Sequence, residues 1–181
     1  MRKSDFNPNI HNRQSTRLKG YDYSKNGLYF ITIITLDRMC LFGSIDKNED
    51  TTQKMVLSEG GQIVHKFWFA IPEYFPNVLL HEFVVMPNHL HGIIELSNQN
   101  QEKSVSQTNQ YQKIIPNSIG AIVRGFKVGV TKWYKENLNQ IYVWHRNYHD
   151  VIIKSETDYI KISNYILNNP SNWKEDRFYL E

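Results

Sequence analysis

His89, Leu90 and His91 stand inside the run Phe83-Val84-Val85-Met86-Pro87-Asn88-His89-Leu90-His91-Gly92-Ile93-Ile94-Glu95-Leu96. Two apolar stretches flank a Pro-Asn turn signal, which predicts a β-hairpin with both histidines opening its second strand. Side chains alternate along a strand, so the two imidazoles share one face and Leu90 takes the other. Imidazoles so placed can converge on one divalent ion and leave positions open for oxygen ligands. The implied chemistry is metal-assisted.

A candidate nucleophile lies near the other end of the chain. From Glu156 to about Asn169 the apolar spacing is helical, and Pro170 stops it. At about 100° per residue, Tyr159, Ile160, Ile162, Ile166 and Leu167 fall on one broad arc, which is expected to be core. Asp158, Lys161, Tyr165, Asn168 and Asn169 share the remaining arc, with Tyr165 at its centre. A phenol with a pKa near 10 is a poor nucleophile at neutral pH unless a cation stabilises the phenolate or polarises the electrophile. Asn169, one turn beyond Tyr165, can add an oxygen ligand beside the histidines. Such parts suit transfer of a phosphodiester, with the ion on a phosphate oxygen and Tyr165 attacking phosphorus. Tyr159 falls on the apolar arc, Tyr148 on an extended segment suited to stacking, and Tyr179 near the terminus, so Tyr165 is the favoured nucleophile.

The elements that must position these groups are legible in outline. Gly27 to Thr35 is rich in β-branched and aromatic residues and predicts a buried strand. Cys40 to Gly43 suggests a short second strand, followed by a polar loop from Asp46 to Gln53. Ser58 is a candidate N-cap for a helix running towards Ile71, before Pro72 and Pro76 break the pattern. Asn117 or Ser118 opens a second amphipathic helix, with Ile119, Ile122, Val123, Phe126, Val130, Trp133 and Tyr134 on its apolar face. Arg124, Lys127, Lys132 and Lys135 take the opposite arc, which suits either solvent or a polyanion. Val143 to Ile153 is expected to be extended and mixes aromatics with Arg146 and Tyr148, a combination that suits nucleic acid or an amphipathic edge strand.

Length and composition set bounds. The chain has 181 residues, 40% hydrophobic, with a formal net charge of +3. That length suits one domain with a sizeable core. One cysteine, Cys40, excludes an internal disulfide framework and fits a reducing compartment. No apolar segment reads as a signal peptide or membrane span, so a cytoplasmic protein with no membrane partner is expected. Residues 1–25 form a basic arm in which Arg13 and Arg17 are candidate phosphate contacts; a solvated tail is the alternative reading of the same charges. Residues 97–113 contain almost nothing to bury and predict a mobile polar insertion inside a single catalytic domain spanning 26–175.

His89-Leu90-His91 resembles the HUH motif of single-strand DNA nucleases. Together with Pro87-Asn88 before it, Gly92 after it, and the later run Tyr165-Ile166-Leu167-Asn168-Asn169-Pro170, it resembles the REP-associated tyrosine transposases. Ile122-Val123-Arg124-Gly125-Phe126-Lys127 and Val143-Trp144-His145-Arg146-Asn147-Tyr148 are similar to that group as well, and the likeness spans roughly residues 20–175. The resemblance implies His89, His91 and Asn169 as ligands of a divalent metal, Mg or Mn, and Tyr165 as covalent nucleophile. It implies cleavage of single-stranded DNA beside a hairpin through a 5′-phosphotyrosine, then strand transfer without ATP. DNA contacts would come from the N-terminal arm, the basic helix arc, Arg146 and Tyr148. Members act as monomers or dimers, so a homodimer is one implied partner state.

The implied fold agrees with the reading of the residues themselves: α+β, a ferredoxin-like antiparallel sheet with helices packed against it. Two other functional classes fit the same residues. One is a non-catalytic nucleic-acid-binding protein on this scaffold. The other is a metal-dependent phosphodiester hydrolase that activates water, with Tyr165 a bystander.

Overall fold

The computed structural model describes residues 20–47, 53–97 and 115–179. Arg13, Arg17, most of the basic arm and almost all of the polar insertion lie outside those residues.

The main sheet has four strands: β1 (Gly27–Ile34), β4 (Val78–Met86), β5 (His89–Leu96) and β6 (His149–Ile153). Their order is β4-β5-β1-β6, and all three pairings are antiparallel. Counting α1 (Glu59–Phe69) between β1 and β4, and α3 (Ile119–Leu138) between β5 and β6, the chain follows the β-α-β-β-α-β path of ferredoxin-like folds. A short helix, α2 (Ile71–Tyr74), carries the chain from α1 into β4, and α4 (Glu156–Asn168) follows β6. The α+β class expected from the sequence is therefore the observed one.

Each long helix starts where a serine can satisfy an otherwise free N–H. The hydroxyls of Ser58, Ser118 and Ser155 accept from the backbone N–H of Gly61, Ala121 and Asp158 at 3.1, 3.3 and 3.1 Å. Helix α3 ends at Asn139, which takes the left-handed conformation that closes a helix.

The two faces of the sheet are covered unequally. On one face Tyr29, Ile31, Ile33, Leu90 and Ile94 pack with Val64 and Trp68 of α1 and Ile122, Phe126 and Val130 of α3. On the other face α4 seats Ile166 and the partly buried Ile162 against Ile93 and Ile153, a much smaller cluster. The alternation of β5 thus decides which side carries chemistry. Leu90 enters the main core, while His89, His91, Ile93 and Glu95 face the side that α4 covers.

Several sequence expectations are corrected. The stretch read as loop from Asp46 belongs in part to a two-stranded sheet, β2 (Gly43–Lys47) paired with β3 (Gln53–Leu57). Of the segment expected to be extended from Val143, only His149–Ile153 joins the sheet, with one isolated bridge between Trp144 and Thr35. Tyr148, expected to stack on nucleic acid, is buried in the main core cluster, because the chain turns inward there before entering β6. Ile160 and Leu167, expected in the core, are 51% and 64% exposed, since α4 touches the sheet along a narrow strip.

Candidate active site

The Pro87-Asn88 turn is pinned from two directions. The Asn88 carbonyl accepts from the Thr35 N–H and hydroxyl, both at 2.9 Å, and its amide donates to the Phe178 carbonyl at 2.8 Å. Its own Oδ1 lies 2.9 Å from His89 Nδ1. On the neighbouring strand, Thr32 Oγ1 lies 2.8 Å from His91 Nδ1, since Thr32 and His91 are register partners. Both histidines therefore have their Nδ1 atoms occupied and turn their Nε2 atoms inward, 3.1 Å apart. Burial holds both below the ordinary histidine value, His89 at about 3, so both rings are neutral at pH 7. Neutral, oriented imidazoles are what a divalent ion needs.

Tyr165 comes to this pair from α4. Its hydroxyl lies 3.1 Å from His91 Nε2 and donates to Asp176 Oδ2 at 3.2 Å. Phe30 walls the site from β1, stacked on His91 and edge-on to Tyr165. Burial, with the Asp176 carboxylate beside it, pushes the phenol up to about 12. The free phenol is thus a worse nucleophile than tyrosine in water, and a cation is needed to reverse the shift.

Asp176 is the residue that sequence reasoning missed. It follows a short turn after Pro170, and its side chain is buried beside His89, with Oδ2 3.9 Å from His89 Nε2. His89, His91 and Asp176 offer one ligand atom each, all within 4.8 Å of one another. Asn169, the expected third ligand, donates its amide to Asp176 Oδ2 at 3.0 Å, while its buried Oδ1 has no hydrogen-bond partner among the described residues. Two neutral imidazoles, a buried carboxylate and an orphaned amide oxygen form a donor set that fits a divalent cation. A cleft of about 400 Å³, lined by Tyr165, Asn169, Asn172, Glu175, Asp176 and Arg177, borders the cluster on the Tyr165 and Asp176 side.

The expected DNA contacts are not all alike. Arg124, Lys132, Lys135 and Arg146 are exposed. Lys127 is not free: its ammonium donates to the carbonyls of His145 and Asn147 at 2.8 and 3.0 Å, tying that segment to α3. Desolvation there lowers it to about 8. The helical arc that carries the basic residues predicted one role for all four; packing of the 145–147 backbone gives Lys127 another.

No protein-family model matches the chain. A Haemophilus influenzae protein, described only as uncharacterized, is 44% identical over 181 residues, covering 97% of this chain and 98% of that one. The chain belongs to one family with it. Among solved structures, that of a REP-associated tyrosine transposase bound to a REP hairpin superposes with a TM-score of 0.57 at 17% identity, covering 87% of this chain and 74% of the other. A candidate transposase from Deinococcus radiodurans gives a TM-score of 0.48 at 17% identity over 84% of this chain and 95% of the other. At such identities the first likeness is one of fold. This family therefore shares the α+β architecture that the transposase uses.

Proposed function

We propose that the protein is a DNA transposase or strand transferase that cuts and rejoins single-stranded DNA beside a hairpin, with Tyr165 as nucleophile. One observation carries the reading: a phenol on α4 reaches the inward nitrogen of the His-x-His strand at 3.1 Å, beside a buried carboxylate. Among the described residues Tyr165 belongs to neither hydrophobic cluster, so burial of apolar surface does not by itself account for that meeting. The transposase fold and the hairpin bound to that neighbour support it.

His89, His91 and Asp176 would hold the divalent cation, Mg or Mn, with Asn169 Oδ1 as a further oxygen donor. When bound, such an ion polarises a non-bridging phosphate oxygen and lowers the phenol towards ionisation. The chain's own residues supply the rest. Thr32 and Asn88 hold the two rings in place. Asp176 Oδ2, which already accepts the phenol hydrogen bond, orients the Tyr165 hydroxyl, and the phenol proton leaves to water. The Tyr165 oxygen then bonds to phosphorus as the bond to O3′ breaks, and the departing O3′ takes a proton from water, leaving a 5′-phosphotyrosine and a 3′-hydroxyl. Attack by a 3′-hydroxyl reverses the step and joins strands, so ATP is not required. The exposed Arg124, Lys132, Lys135 and Arg146 would hold the phosphates of the hairpin, and Arg13 and Arg17 of the arm would extend that contact. A cytoplasmic location and a monomer or homodimer complete the reading.

Incubation with a panel of hairpin-bearing single-stranded oligonucleotides and manganese tests it. A DNA–protein adduct stable to denaturant supports the transferase. Cleavage without adduct indicates the water-activating hydrolase, and binding without cleavage indicates the non-catalytic alternative.

A further inference from the structure

The seat of α4 on the sheet contains a polar cluster that the proposed chemistry does not use. The register of β4 against β5 shifts between Leu80, opposite Ile94, and Phe83, opposite Gly92. Two residues of β4, His81 and Glu82, therefore stand against the single residue Ile93. That is a β-bulge, a device that re-aims side chains. Without it, strand alternation would send His81 and Glu82 to opposite faces. With it, both meet Tyr159 of α4. The Tyr159 hydroxyl donates to Glu82 Oε2 at 3.0 Å and lies 3.2 Å from His81 Nδ1. His81 Nε2 lies in turn 2.9 Å from Glu95 Oε2 on β5. The His81 and Tyr159 rings pack edge to face.

We infer that Tyr159, clamped by the His81–Glu82 bulge and Glu95, is a positioning residue that sets the register of α4 and so delivers Tyr165 to the His-x-His strand. The apolar seat beneath α4 is small, and hydrophobic contact has no direction, so it permits sliding and rotation. Hydrogen bonds from one phenol to groups on β4 are directional and fix one register. Tyr165 lies six residues further along the same helix, about 9 Å down its axis. The inference rests on the proposed role of Tyr165 but concerns residues outside that site.

Two readouts test it. In the first, single-turnover adduct formation is measured at saturating hairpin DNA. Tyr159→Phe should slow the step about 10- to 100-fold, the cost of a misplacement of about 1 Å, with DNA affinity kept within about twofold. Glu82→Gln, which retains an acceptor oxygen, should stay near the wild-type rate, whereas Glu82→Ala should fall with Tyr159→Phe. A loss of rate, affinity and thermal midpoint together, or no loss of rate, overturns the clamp. In the second, 3-fluorotyrosine is placed at position 165 and read by fluorine NMR. One sharp resonance is expected in the parent and in Glu82→Gln, and a broadened or split resonance in Tyr159→Phe. An unchanged spectrum in Tyr159→Phe overturns the inference even if the protein cuts no DNA, while absence of any adduct in the parent overturns only the proposed function.

Discussion

Thr32 Oγ1 and His91 Nδ1 lie 2.8 Å apart across the β1–β5 ladder, although 59 residues separate them in the chain. The contact leaves His91 Nε2 as the atom that faces Tyr165, so a strand register decides which nitrogen reaches the reaction. Thr32→Val keeps the shape and removes the partner. It should weaken manganese binding about 10- to 100-fold by calorimetry, as loss of an orienting neighbour typically does. Affinity equal to wild type would mean that Thr32 does not orient the ring.

Asp176 should matter more to the cation than its absence from any sequence motif suggests. Asp176→Ala, like His91→Ala, should abolish measurable manganese binding, and a chelator should stop adduct formation in the wild type. Because Asp176 Oδ1 also accepts from the Phe178 N–H at 2.7 Å, Asp176→Asn is the cleaner variant for activity. It retains an acceptor there while weakening the ligand and its hold on the Tyr165 hydroxyl.

Acid should destabilise the metal-free protein through the buried histidines. His89 and His91 both titrate in the fold below their ordinary value near 6.5. Between the two values the unfolded chain binds more protons, so stability rises with pH, is fully present above about pH 6.5 and is lost as pH falls towards 3. The thermal midpoint should drop between pH 7 and pH 4.5, and it should drop less in a His89→Gln/His91→Gln double variant. Equal drops would place the acid sensitivity elsewhere.

Two lysines of one helical arc should behave differently. Lys135→Ala should lower DNA affinity with little effect on stability and reduce the salt dependence of binding by about one ion. Lys127→Met should instead loosen the 145–147 backbone that its ammonium holds, lowering the thermal midpoint. Its lowered value, about 8, has a sign of its own. Burial penalises the charged amine, so this group's contribution to stability should rise as pH moves from about 8 towards 10.5.

Gly92, next to His91, has its missing side chain on the opposite face. A Cβ there would collide with the Trp68 ring. Gly92→Ala should cost about 1–3 kcal/mol through overpacking, read by denaturant unfolding. A neutral result would show that Trp68, stacked on Phe83 at 4.6 Å, can move aside.

What the sequence made legible follows from periodicity. Alternation on β5 put His89 and His91 on one face, and helical spacing gave α4 its boundaries and singled out Tyr165. Periodicity does not say how wide a strip of α4 the sheet covers, so it places Ile160 and Leu167 in a core that does not reach them. The polar stretch from Asp46 reads as loop although it ends β2, because an exposed two-stranded sheet buries little. Asp176 lies in a short turn after a proline, where no repeat points to a face, and only tertiary packing brings it to His89. Tyr148 and Lys127 had the right chemistry for DNA, but the local fold of the chain from Val143 to His149 uses one in the core and the other as a tie.

The most direct measurement is the identity of the tyrosine that becomes linked to DNA. After reaction with hairpin-bearing single-stranded DNA and manganese, nuclease trimming and proteolysis, mass spectrometry should find the nucleotide remnant on the peptide containing Tyr165, and Tyr165→Phe should yield none. A remnant on Tyr148, Tyr159 or Tyr179, or an undiminished adduct in Tyr165→Phe, would contradict the account.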